Sequence, residues 1–112
     1  MNRPRIGRSR VLERHNVGPH VALLRTEIES TGLICYRYIL EVCGRYAPVL
    51  WITAEAAAYL EGEEPPGVHF LCTFQGDTHA NYGHDEDYGD LDVFRRAALD
   101  KAREVLGFPD DV

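Results

Sequence analysis

The sequence predicts an α+β fold: a two-layer sandwich in which a mainly antiparallel sheet of about four strands carries the C-terminal helix on one face. Three observations predict it. Leu33–Cys43 (LICYRYILEVC) alternates at period two, with Ile34, Tyr36, Tyr38, Leu40 and Val42 on one side and Leu33, Cys35, Arg37, Ile39, Glu41 and Cys43 on the other. Near the C-terminus, Leu91, Phe94, Ala98, Ala102 and Val105 recur at helical spacing. Between these stretches, Gly, Pro and small polar residues cut the chain into strand-length pieces. The predicted element order is β-β-β-α-β-α.

Residues 1–16 read as a basic, flexible N-terminal arm, and residues 17–112 as a single α+β domain. The arm, MNRPRIGRSRVLERHN, is polar and lacks clear periodicity. Gly18-Pro19 opens the first strand, His20 to Glu29, and Ser30-Thr31-Gly32 forms a short hairpin loop before the central strand. Residues 44–47 turn the chain into a third strand, Pro48 to Thr53, with proline at its tolerated first position. Thr53 then resembles an N-cap for a short helix over residues 54–61, where three alanines favour helix and Gly62 supplies a stop. A longer third strand is the alternative for that segment. After the break at residues 63–67 comes a fourth strand, Val68 to Gln75. Residues 76–89 (GDTHANYGHDEDYG) show no apolar periodicity and read as a long loop, a feature that is usually functional or disordered. Asp90 caps the last helix, Leu91 to Leu106, and Gly107 with Pro109 ends it.

A chain of 112 residues, 45% hydrophobic and 27% charged, suits one globular domain. It contains no apolar run long enough to span a bilayer and no hydrophobic leader region at its start, so the expected location is cytoplasmic, with no membrane partner. The three cysteines, Cys35, Cys43 and Cys72, include no CxxC pair. Cys35 and Cys43 on one strand would lie roughly 26 Å apart, too far to bridge. Reduced thiols are the expectation.

Charge is divided along the chain. Residues 1–14 carry +4 against a formal total of −6, leaving −10 for the remainder. From Tyr46 to Phe94 there is no Lys or Arg, and the span holds ten acids. Such a surface attracts cations or basic proteins and repels nucleic acid, which is expected as a partner only through the arm's Arg3, Arg5, Arg8, Arg10 and Arg14. The primary functional expectation is therefore a small non-enzymatic binding or regulatory protein, without cofactor. It would dock a basic protein partner through its acidic surface and the 76–89 loop. The partner-binding set is Tyr46, Trp51, Asp77, His79, Tyr82, His84, Asp85, Glu86, Asp87 and Tyr88, with Trp51 and Tyr46 as aromatic anchors. The second sheet face, too apolar to stay bare, offers a surface to a homodimer or to the short helix.

The alternative is a metal-dependent or small-ligand enzyme in which His79, His84, Asp85 and Asp87 hold a divalent cation. His79 and His84 match none of the common zinc spacings, and an EF-hand counted from Asp85 fails at its later positions. No GxSxG, P-loop, GxGxxG, HExxH or kinase motif is present, so no reaction is named from motifs.

Overall fold

The computed structural model describes residues 3–56 and 69–108. Seven elements occur there: β1 (Arg10–Val17), β2 (His20–Thr26), β3 (Tyr36–Cys43), β4 (Pro48–Ala56), β5 (His69–Gln75), β6 (Thr78–Asn81) and α1 (Leu91–Leu106). The strands form one antiparallel sheet in sequence order, β1-β2-β3-β4-β5-β6. Among the described residues, the expected two-layer sandwich of about four strands, in the order β-β-β-α-β-α, is therefore corrected to a six-strand meander followed by the C-terminal helix.

Each difference has a local cause. Residues 10–17, read from sequence as part of an arm, form an edge strand. They pair with β2 through a two-residue Gly18-Pro19 turn, in which Gly18 takes φ +57°. A strand with only one sheet neighbour tolerates the charged residues that hid it. β2 ends at Thr26 rather than Glu29 because Glu27 adopts left-handed backbone, φ 51°. The expected helix over 54–61 fails at its start. Thr53 is no cap but a buried mid-strand residue, and β4 runs to Ala56 between β3 and β5. Pairing on both edges outweighs the helix preference of alanine; residues 57–61 of that helix lie outside the described residues. In the expected long loop, Gly76-Asp77 is a two-residue hairpin turn, with Gly76 at φ +59°, and β6 follows it.

The sheet has two apolar faces. On the helix face, Ala22, Leu24, Tyr38, Leu40, Val42, Leu50, Ile52, Ala54 and Leu71 pack around Phe94, Ala98 and Ala102 of α1. Phe94 stacks on Tyr38 with ring centroids 5.5 Å apart. Asp90 caps the helix by accepting from the Val93 N–H at 3.1 Å, and Gly107 closes it at φ +79°. Glu13 of β1 receives Arg95 of α1, with Nε to Oε1 at 2.7 Å, which ties the edge strand to the helix.

The outer face carries Tyr36, Ile39, Trp51 and Phe74. Tyr36 reaches it through a bulge: Tyr36 pairs with Glu55 and Tyr38 with Ala54, so Arg37 is the extra residue and the alternation flips. This moves Tyr36 off the helix face where strict alternation puts it. The chain's own N-terminal segment covers the outer face. Gly7 N–H donates to Glu29 O at 2.8 Å, Thr31 N–H donates to Arg5 O at 3.0 Å, Pro4 is buried, and Ile6, Ile28 and Ile34 pack on the cluster. Trp51 is left 6% exposed and Ile39 fully buried. Among the described residues, no helix is long and apolar enough to cross a membrane.

Candidate metal centre

The outer face also carries polar groups where an apolar layer would be cheaper. Register places them. Thr53 pairs with Cys72, and Phe74 pairs with His79. By period two, Thr53 and Glu55 of β4, Cys72 of β5 and His79 of β6 therefore project from the same side. Cys72 is short, so the longer Glu55 and His79 side chains meet across its strand. His79 Nε2 lies 2.9 Å from Glu55 Oε2, and Thr53 Oγ1 donates to the same oxygen at 3.0 Å. Phe74 lies flat on the His79 ring, with centroids 4.0 Å apart and planes 14° apart, and so fixes its orientation.

One ligand atom each from Glu55, Cys72 and His79 falls within 4.8 Å of the others, the group of potential metal donors found among the described residues. Glu55 and Cys72 are buried, at 2% and 1% exposure, whereas the His79 side chain is 32% exposed. The trio is closed from below and open on the histidine side. Burial, and after it the nearby Glu55 carboxylate, push the Cys72 thiol well above its ordinary range. At neutral pH the unliganded sulfur is a thiol, which disfavours a free thiolate nucleophile. A divalent cation reverses that balance by taking the place of the thiol proton.

The fit to a metal is chemical as well as geometric. Thiolate, imidazole and carboxylate together suit Zn²⁺ or Co²⁺ over Mg²⁺ or Ca²⁺. Tetrahedral coordination at bond lengths of about 2.0–2.3 Å puts donors roughly 3.3–3.8 Å apart, so the trio closes on an ion with small side-chain movements.

The residues expected from sequence are dispersed. Of His79, His84, Asp85 and Asp87, only His79 belongs to the trio. His84 packs edge-on against Phe70 at 4.7 Å. Asp85 accepts from the Tyr88 hydroxyl at 2.7 Å, and Asp87 accepts from the Gly89 N–H at 3.1 Å. Tyr88 is buried in the helix-side core, and its phenol is pushed up to about 12 by burial first and Asp85 second. Glu86 pairs with Arg96 at 2.9 Å. Tyr82 lies under the Lys101 ammonium, 4.1 Å from its ring centroid. Asp77 is exposed in the β5–β6 turn, and Tyr46 is 89% exposed in the β3–β4 turn. Trp51 is buried and donates from Nε1 to Glu41 Oε2 at 3.4 Å.

Sequence reasoning missed Glu55 and Cys72 as ligands, one because it lay in an expected helix and the other because it read as an ordinary buried thiol. The overlooked signal is Gln75-Gly76-Asp77-Thr78. Read as a two-residue hairpin, it puts His79 opposite Phe74 and diagonal to Cys72.

Fold and site together define a class: an antiparallel meander backed by the C-terminal helix, with a three-donor Glu/Cys/His cluster on the opposite face. Comparison with known proteins gives no match to a family model, a curated protein or a solved structure.

Proposed function

We propose that this protein binds a divalent transition metal, zinc or a close analogue, through Glu55, Cys72 and His79, and acts on a small molecule at the open side of that ion. The observation that carries the reading is the convergence of three different donor types from three adjacent strands within 4.8 Å, two of them buried. A buried acid with a thiol and an imidazole on an otherwise apolar sheet is a stability cost that a ligand would offset. Three protein donors with one accessible side is the arrangement of a catalytic ion, since structural zinc is ordinarily held by four. The three free cysteines fit a reducing, cytoplasmic setting.

The test is titration of the metal-free full chain with Zn²⁺ and Co²⁺ by calorimetry, with the thiolate-to-cobalt absorption as a second readout. One ion per chain is expected, with Cys72→Ser and His79→Gln each weakening binding by tenfold or more. At a zinc concentration a hundredfold above Kd, stability should rise by about 2.7 kcal/mol. Absence of binding, or binding indifferent to Cys72→Ser, sinks the reading.

Docking of a basic partner through the acidic surface takes second place. Trp51 and Tyr88 are buried, and several acids of that surface already hold Arg95, Arg96 or a backbone N–H. Its support is the exposed Tyr46 and the exposed Asp77, and its mark would be capture of a basic protein that weakens steeply with salt.

A further inference from the structure

A cleft of about 140 Å³ opens between the N-terminal segment and the sheet, lined among others by Arg3, Arg5, Ile34, Tyr36, Phe74 and His79. His79 belongs to both the cleft wall and the donor trio, so the trio adjoins the cleft through its exposed histidine. We propose that the cleft binds a short-chain carboxylate whose anionic end completes the coordination of the metal held by Glu55, Cys72 and His79. This rests on the metal reading above and adds the substrate class.

Three features select that chemistry. The first is charge. A divalent ion held by one thiolate and one carboxylate is formally neutral, and Arg3 and Arg5 add positive charge at the rim. Neither arginine is in an ion pair among the described residues; Arg3 instead sits over the Trp51 ring at 6.0 Å. Guanidinium groups lining a cleft favour an anion, and their planar fork matches a carboxylate. The second feature is size. At about 140 Å³ the cleft is smaller than the roughly 300–1,000 Å³ of sites that bury drug-sized ligands, which suits a small ligand. The third is the wall: Ile34, Tyr36 and Phe74 present apolar surface beside the arginines, which suits a short alkyl or keto tail better than a bare inorganic ion.

The test uses the full chain loaded with cobalt(II). Propionate and pyruvate are titrated in, with inorganic phosphate as a comparison, and both the heat and the cobalt spectrum are followed. Saturable binding of one carboxylate per chain, with a change in the cobalt spectrum, is expected. Arg3→Gln/Arg5→Gln should weaken it by about tenfold or more while cobalt affinity and thermal stability stay within a few-fold and a few degrees of the parent. A chain that takes up cobalt but no carboxylate overturns this proposal and leaves the metal site standing. A chain that takes up no cobalt overturns both. Equal carboxylate affinity with and without cobalt, or indifference to the double substitution, overturns the assigned position, and preference for phosphate overturns the assigned class.

Discussion

Gly18 and Gly76 both turn hairpins with left-handed backbone, at φ +57° and +59°, yet their surroundings differ. A Cβ on Gly18 would come within 2.8 Å of the Phe108 ring, whereas nothing lies within 4 Å of one on Gly76. Phe108 also meets His20 edge-on at 5.7 Å, so the chain after α1 is folded onto this turn. Gly76→Ala should therefore cost about 1 kcal/mol, from backbone strain alone, and Gly18→Ala about 2–3 kcal/mol, from strain and displacement of the ring. Denaturant midpoints of the two variants check the difference, and equal losses would show that Phe108 yields freely. Gly18-Pro19 was visible in the sequence as a break. That it joins two strands, rather than an arm to a strand, was not, because the strand before it is polar.

At the scale of elements, α1 was readable from its own residues: Asp90, the Phe94/Ala98/Ala102 stripe and Gly107 act within one helix. Truncating Phe94 to Ala, at full burial, should destabilise by about 3–5 kcal/mol. β1 depends on partners far along the chain. Its Glu13 carboxyl is held down to about 2, from an ordinary 4.5, chiefly by hydrogen bonds from Arg95, with His15 adding to the effect. Because the folded value lies below the unfolded one, the ionised carboxylate stabilises the protein at neutral pH. That contribution is lost as pH falls from about 4.5 to about 2. With Glu13 about a quarter exposed, the pair is worth about 1–2 kcal/mol after screening. Glu13→Gln should lower neutral-pH stability by that amount and shrink the gap to the parent below pH 4.5, as acid unfolding followed by circular dichroism would reveal. A gap constant with pH would exclude the ion pair as its source.

Over the whole molecule, the N-terminal segment decides what the outer face is for. It shields Trp51 and Ile39 and supplies Arg3 and Arg5 to the cleft. Removing residues 1–8 leaves β1 intact and should uncover Trp51, the single tryptophan. Its emission should then shift to the red and become accessible to a soluble quencher. Unchanged emission would mean that the sheet alone buries the indole. The sequence divided the charge of the chain correctly into a basic start and an acidic remainder. Folding then brings part of the two halves together, with Glu13 and Arg10 of β1 bonded to residues elsewhere in the chain.

What the sequence alone determined is what acts over a few residues: the period-two core of β3, the helix with its caps and the separation of charge. What only the tertiary structure decided is which strands are neighbours, where the Arg37 bulge reverses the faces, and that Glu55, Cys72 and His79 meet. Those three lie on separate strands, and their convergence depends on inter-strand register. Register is set by hairpin turns and by burial on both sides of the sheet rather than by any residue's own preference.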